Sequence, residues 1–379
     1  MSMYYSCDSH VVEPPEVFHG LEHRFGSRAP QIVKNPAGGG TYIMLGDMCI
    51  PVGRLGIAGH RLDDPKTHEL IARGYEGLNP GVYDPAARLK EQEVDGIVGE
   101  VIYPGVTMFA FSYSERDVVH ALFRRYNDWV YDYCHYAPER LVGLACLPLP
   151  DVDVAVQELE RTAKIGFRGF VIPCSAPIDK PYSHPEYEPF WRAAEEVGLP
   201  LSMHIFCGST LDMGLPAHWG LPGTSIVGYT MAHGAIVATM AQLICSGVAE
   251  RHPGLKFVCS EFETGWLAHV LRRLDHATYR ARAEAAPDLT MEPSAYFRRQ
   301  FYATFEDDQL GILTRHLIGV DNLMWGNDYP HHDSIWPHSK EVLARIFQGV
   351  PADERQKMTS GNVLRLYGIT LSQEAGATP

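Results

Sequence analysis

Short apolar runs recur along this chain, and longer stretches with helical spacing separate them. The runs fall at 3–9, 97–103, 141–149, 168–173, 200–205, 255–260, 300–304 and 322–326. Such alternation admits few architectures, because strands that alternate with helices pair in parallel and need cover on both faces. Gly169-Phe170-Val171-Ile172 meets that requirement, being apolar throughout. Eight strand–helix units suit a closed (β/α)8 TIM barrel better than an open sheet, and 379 residues is an ordinary length for a barrel with insertions. Residues 151–165 illustrate the helical stretches: Asp151 is a capping type, Val154, Leu159 and Ile165 fall near one face, and Gly166 is a stop.

One segment breaks the alternation. Residues 25–80 hold three consecutive glycines, a hairpin-like run over 41–50 and scattered Pro and Gly. They predict an insertion after strand one, packed across the barrel mouth. The expected organisation is a single metal-dependent domain over 1–370, with a flexible tail at 371–379.

Bulk properties narrow the partners. A formal charge of −14 opposes a nucleic-acid surface, which needs clustered Lys and Arg. No uninterrupted apolar run approaches the roughly 18 residues of a membrane span, and no basic segment precedes an apolar one at the start. The eight cysteines are scattered without a C-x-x-C pair, as buried reduced thiols are. A cytoplasmic protein with a small-molecule substrate is the expectation.

In a barrel the reactive groups sit where strands end, because the loops there converge on one mouth. Strand one ends in Asp8-Ser9-His10, with two side chains on one face. Strand five ends in His204 and strand eight in Asp328. Two imidazoles and two carboxylates can bind one divalent cation and leave positions for water. Either of these motifs alone is common by chance; their order at three strand ends makes the metal reading.

These residues sit in motifs that resemble a known family. Asp8-Ser9-His10-Val11-Val12-Glu13-Pro14-Pro15, Glu100-Val101-Ile102-Tyr103-Pro104, Gly198-Leu199-Pro200-Leu201-Ser202-Met203-His204 and Arg251-His252-Pro253-Gly254-Leu255-Lys256 are four of them. Trp325-Gly326-Asn327-Asp328-Tyr329-Pro330-His331 and Gly361-Asn362-Val363-Leu364-Arg365-Leu366-Tyr367 are two more. The chain resembles the amidohydrolase superfamily, in the amidohydrolase-related branch with aminocarboxymuconate-semialdehyde and resorcylate decarboxylases. The resemblance implies a barrel with Asp8, His10, His204 and Asp328 as metal ligands, and a homodimer.

The chain departs from that pattern in three places. Asp8 stands where the superfamily most often has histidine, which hardens the site and favours Mn²⁺ or Fe²⁺ over Zn²⁺. Strand four ends Ile172-Pro173-Cys174 without the bridging lysine of binuclear relatives, so one ion is expected. At strand six, where decarboxylases of this branch carry a histidine, the chain has Glu261. That residue reads as a general base, an additional metal ligand or a salt-bridged structural group. A second ion held by Glu261 with Glu100 is a further option.

Because a carboxylate protonates an aromatic carbon poorly unless its pKa is raised, the expected activity is metal-dependent hydrolysis of an ester, thioester, lactone or amide. Asp328 and Glu261 would be its catalytic residues. The alternative is a metal-dependent non-oxidative decarboxylase of an aromatic or unsaturated acid, and a third option is a barrel that binds without turnover. Substrate contacts are expected from Arg54, His218 and His233, with His331 orienting Asp328. Phe206, Trp219, Tyr229 and Trp336 would make a roomy apolar pocket for a ring or terpenoid-like group.

Overall fold

The computed structural model describes residues 3–34, 39–208 and 224–371. Twelve strands occur in them. In chain order they are β1 (Tyr5–His10), β2 (Gln31–Lys34), β3 (Thr41–Leu45), β4 (Met48–Pro51), β5 (Gly99–Tyr103), β6 (Leu141–Gly143), β7 (Ala145–Cys146), β8 (Phe170–Ile172), β9 (Leu201–His204), β10 (Phe257–Ser260), β11 (Phe301–Phe305) and β12 (Leu323–Trp325).

All but β2–β4 form a parallel ring. One arc runs β1-β5-β6 and the other β12-β11-β10-β9-β8-β7. The arcs join where strand three changes partner: the Leu144 N–H donates to the Ile102 carbonyl and the Ala145 N–H to that of Gly169. At the other seam the Asp328 N–H donates to the Asp8 carbonyl at 2.9 Å, and the His10 N–H to that of Tyr329 at 2.6 Å. Counting β6 and β7 as one interrupted strand gives the eight-stranded (β/α)8 barrel. The expected run over 141–149 is split because Leu144 must serve both arcs.

The strand residues are nearly all buried, as parallel strands sheathed by helices must be. The helices Val152–Ile165 and Glu188–Val197 lie where their apolar spacing puts them. Asp151 makes no capping bond; its carboxylate instead takes His120 Nε2 at 2.6 Å. One segment, Ile226–Cys245, has the length and mean hydropathy of a membrane span. It is two helices, Thr224–Met231 and His233–Cys245, and the second packs Ile236, Met240, Leu243 and Ile244 into the core as a barrel helix does.

The insertion builds its own antiparallel sheet, ordered β2-β3-β4. The β3–β4 hairpin turns on Gly46, whose φ of 59° and 2.8 Å approach of a would-be Cβ to the Tyr113 ring exclude other residues. The sequence reading had the hairpin and missed β2. Tyr75 donates to the Glu13 carbonyl, Tyr113 to that of Arg28, and Gly59 lies against Trp336. Those partners follow β1, β5 and β12, so the insertion covers the C-terminal end of the barrel, where the candidate ligands are.

Candidate metal centre

Four strand ends bring their polar side chains to one point. His10 and His204 are fully buried, with rings 4.8 Å apart and nearly perpendicular. Each has its Nδ1 committed to a backbone carbonyl, Pro104 at 2.9 Å for His10 and Ile205 at 2.8 Å for His204. Nδ1 must therefore carry the proton in the neutral ring, which leaves the Nε2 lone pair facing inward. His204 Nε2 lies 3.3 Å from Asp8 Oδ1 and 3.1 Å from Glu261 Oε2. His10 Nε2 lies 3.4 Å from Asp328 Oδ1, 3.6 Å from Glu261 Oε2 and 3.7 Å from Asp8 Oδ1.

Two buried atoms in this group, His10 Nε2 and Glu261 Oε2, have no hydrogen-bond partner. Orphaned polar atoms of this kind are costly unless something else satisfies them. The ligand atoms of Asp8, His10, His204 and Glu261 lie within 4.8 Å of one another, as do those of His10, Glu261, Asp328 and His331. This donor set suits a divalent metal ion.

The backbone is bent to make it. Glu261 and Asp328 both have positive φ, 61° and 51°, a conformation that disfavours side chains and gathers at functional sites. Thr304, inside β11, links two members by donating to Asp8 Oδ2 at 3.0 Å and accepting from the Glu261 N–H at 2.9 Å. Gly326 has Asp8 pressed against it: a Cβ there would sit 2.4 Å from Asp8 Cβ and 2.9 Å from its backbone nitrogen. We expect Gly326→Ala to displace Asp8 and to lower metal affinity about 10-fold or more. Titration with Mn²⁺ checks this, and unchanged affinity would remove Asp8 from the centre.

The electrostatics show crowded like charges. Burial pushes the Asp328 carboxyl well above its ordinary range, with Glu261, Asp333 and Asp8 adding to it. Burial acts the same way on Glu261, but His204 and His10 outweigh it and hold that carboxyl well below the usual range. Burial lowers His10 to about 4, helped by His331. For His204 burial is overcome by Asp8 and Glu261, which raise it well above normal.

The structure gathers most of the candidates and separates others. Asp8, His10, His204, Asp328 and Glu261 converge. His331 joins them, its Nδ1 2.8 Å from Asp328 Oδ1 and its ring 4.2 Å from that of His10. His233 instead bonds the Thr230 carbonyl at 3.0 Å and packs against Trp266. Arg54 is exposed at the end of the turn Val52–Arg54 and is not among the residues at the centre. His218 and Trp219 lie outside the described residues.

Glu100 corrects the two-carboxylate idea: it faces away from Glu261 and is bound by Arg88 and Gln92. Of the proposed aromatic wall, Tyr229 lines the cavity beside the centre, together with Phe305. Trp336 is spent on the Glu91 carbonyl and the Tyr329 ring.

Three contributors went unnoticed in the sequence. Thr304 is a strand-end residue, which the same rule would have found. Tyr103 lies under both imidazoles, 5.7 Å from His10 and 4.8 Å from His204, and bonds Ser202 and Ser260. Glu13 accepts from the N–H groups of Gly105, Val106 and Thr107, pinning the loop whose Pro104 holds His10.

With this geometry, comparison with known proteins is informative. A family model described as amidohydrolase matches residues 85–369; Asp8 and His10 precede that match. Gamma-resorcylate decarboxylase of Rhodococcus jostii (strain RHA1) is 30% identical over 240 residues, covering 59% of this chain and 71% of that protein. An amidohydrolase from Mycobacterium avium subsp. paratuberculosis K-10 superposes with a TM-score of 0.76 at 21% identity, covering 97% of this chain and 99% of that one. A dihydroxybenzoic acid decarboxylase from Polaromonas sp. JS666, with bound manganese and 2-nitroresorcinol, superposes with a TM-score of 0.66 at 18% identity over 98% and 99%.

The named relatives overturn the expectation of a hydrolase, since they are decarboxylases. The physical error lay in treating Glu261 as a free base. It stands among the ligand atoms, held ionised by two imidazoles, and so says little about the bond that breaks. By the match over 85–369, the motifs and the barrel, the chain belongs to the amidohydrolase family.

Proposed function

We propose that this protein is a metal-dependent, non-oxidative decarboxylase of a small aromatic or unsaturated carboxylic acid. The observation that carries the reading is the pair of orphaned buried atoms, His10 Nε2 and Glu261 Oε2, facing each other among three carboxylates. The similarity to gamma-resorcylate decarboxylase supports the reaction class.

In this reading Asp8, His10, His204 and Asp328 hold one ion, with Glu261 as an additional ligand. Three carboxylates make a hard site, and Mn²⁺ is the favoured ion over Fe²⁺ and Zn²⁺. When bound, the ion supplies a positive charge that anchors and polarises the substrate's carboxylate. Asp328 keeps a proton in reach of the reacting carbon, with His331 bonded behind it. As the carbon–carboxylate bond breaks, its electron pair stays on that carbon and takes the Asp328 proton, releasing CO₂. Tyr103 and Thr304 keep the ligands in place.

Residues 1–370 act as one domain in this reading, as a homodimer, and the free cysteines fit a reducing cytoplasm. The test is CO₂ release from carboxyl-labelled hydroxybenzoates and unsaturated acids by protein reloaded with Mn²⁺. Absence of release with Mn²⁺, Fe²⁺ and Zn²⁺ alike would sink the reading. Metal content per chain, measured in the native protein and in Glu261→Ala, tests the ligand set. We expect about one ion natively, and a roughly 10–100-fold weaker affinity in the variant. Unchanged affinity would leave Glu261 outside the ligand set.

A further inference from the structure

The cavity beside the metal centre has a polarity of its own. Its lining includes Asp8, Glu261 and Asp328 of the centre together with Glu263, Glu306 and Tyr229. Glu306 directly follows β11, two residues beyond Thr304, which bonds Asp8. Its backbone N–H is taken by Glu263 Oε2 at 3.3 Å. Its Oε1 is shielded from solvent and has no hydrogen-bond partner. The other orphaned atom on the same lining is Glu261 Oε2, at the metal centre, so the cavity has unmet polar demand on both residues.

Among the described residues no Lys or Arg lines this cavity. The chain from Ala193 to Glu250 contains neither Lys nor Arg, and this stretch covers the whole segment after β9. The segments 261–266, 306–308 and 326–338, which follow β10, β11 and β12, contain none either, and neither do those at 104–115 and 147–151. Lys180, after β8, is paired with Glu186. In the insertion Arg61 is paired with Asp63 and Arg28 with Glu115 and Asp117, while Lys34, Arg54, Lys66 and Arg73 are exposed at the surface.

A substrate bound at the ion therefore shares this cavity with Glu306 and Glu263. Burial, with Asp328, Asp333, Glu263 and Glu261, already pushes the Glu306 carboxyl well above its ordinary range. A second anion there would add to this crowding, whereas an ammonium donor would relieve it and form a charge-assisted hydrogen bond. We infer that this site takes acids with a single carboxylate and an amino group directed at Glu306, and rejects dicarboxylates. This rests on the decarboxylase reading and adds the substrate class to it.

The test uses the full-length, Mn²⁺-loaded protein and three sets of compounds. These are 2-hydroxybenzoate, its 3-, 4- and 5-amino derivatives, and the corresponding carboxy derivatives. Both CO₂ release and calorimetric binding are read for the native protein and for Glu306→Gln. At least one amino isomer is expected to exceed the parent in kcat/KM by about tenfold, and every carboxy isomer to fall about tenfold below it. Glu306→Gln should pull both series back toward the parent with its Mn²⁺ content unchanged. The inference is overturned if a carboxy isomer equals or betters its amino counterpart, or if Glu306→Gln leaves the ratio as it was. Should no compound lose CO₂, the decarboxylase reading falls, and the binding order of the two series still decides the polarity. Equal or absent binding of both series ends the inference.

Discussion

Asp328→Asn is expected to keep the ion and to lower CO₂ release by about 10²–10⁴-fold, the usual contribution of a positioned proton donor. An amide oxygen can still coordinate, so metal content should hold, but the amide cannot surrender a proton to carbon. The side chain is well placed for both tasks. Its backbone N–H is fixed to the Asp8 carbonyl, its φ of 51° is imposed by the seam, and His331 Nδ1 lies 2.8 Å from its Oδ1. Burial, with Glu261, Asp333 and Asp8 beside it, pushes its carboxyl upward, the direction an acid needs. The measurement is single-turnover CO₂ release beside elemental analysis of the same sample. Release within a few-fold of the native protein would take the proton-transfer role away from Asp328. Loss of the ion would instead make its carboxylate an indispensable ligand.

The second large effect is on stability, from a residue that touches no substrate. Arg88 is buried and holds Glu100 with two bonds, Nε to Oε1 at 2.6 Å and Nη2 to Oε2 at 2.9 Å. Its Nη1 donates to the carbonyl of His10 at 2.8 Å, and its guanidinium lies 4.3 Å from the centre of the Tyr329 ring. Removing one partner of a buried pair strands the other, so Arg88→Met should destabilise by about 3–5 kcal/mol. That is a large part of the roughly 5–15 kcal/mol that holds a domain together. Arg88→Met with Glu100→Met should recover much of the loss, because no uncompensated charge then remains. Urea midpoints of the two variants check this. A single variant as stable as the native protein would show that the pair contributes little. Metal affinity should stay depressed in both, since the brace on His10 is gone either way.

The fates of Glu100 and Glu261 show what a sequence can and cannot convey. Both are acidic residues in or just beyond an apolar strand, and alternation along a strand does not say which face is the inside until the ring closes. Closure sets Glu100 outward onto the helix Pro85–Asp95, where Arg88 and Gln92 wait, and leaves Glu261 at the rim beside His204. His331 is a parallel case. Its closeness to Asp328 was plain in the sequence, but its ring contact with His10 depends on the seam between β1 and β12.

The sequence by itself determined the barrel, the insertion and the strand-end set of Asp8, His10, His204 and Asp328. It could do so because strand and helix periods are local, and because a parallel barrel exposes its reactive groups only at strand ends. Tertiary structure alone decided that Glu261 and His331 join that set, that Glu100, and with it Arg88, serves the frame, and that Glu306 faces the cavity unpaired. Those outcomes turn on which buried charges meet one another across the ring, and charge pairing between distant segments leaves no periodic trace in the chain.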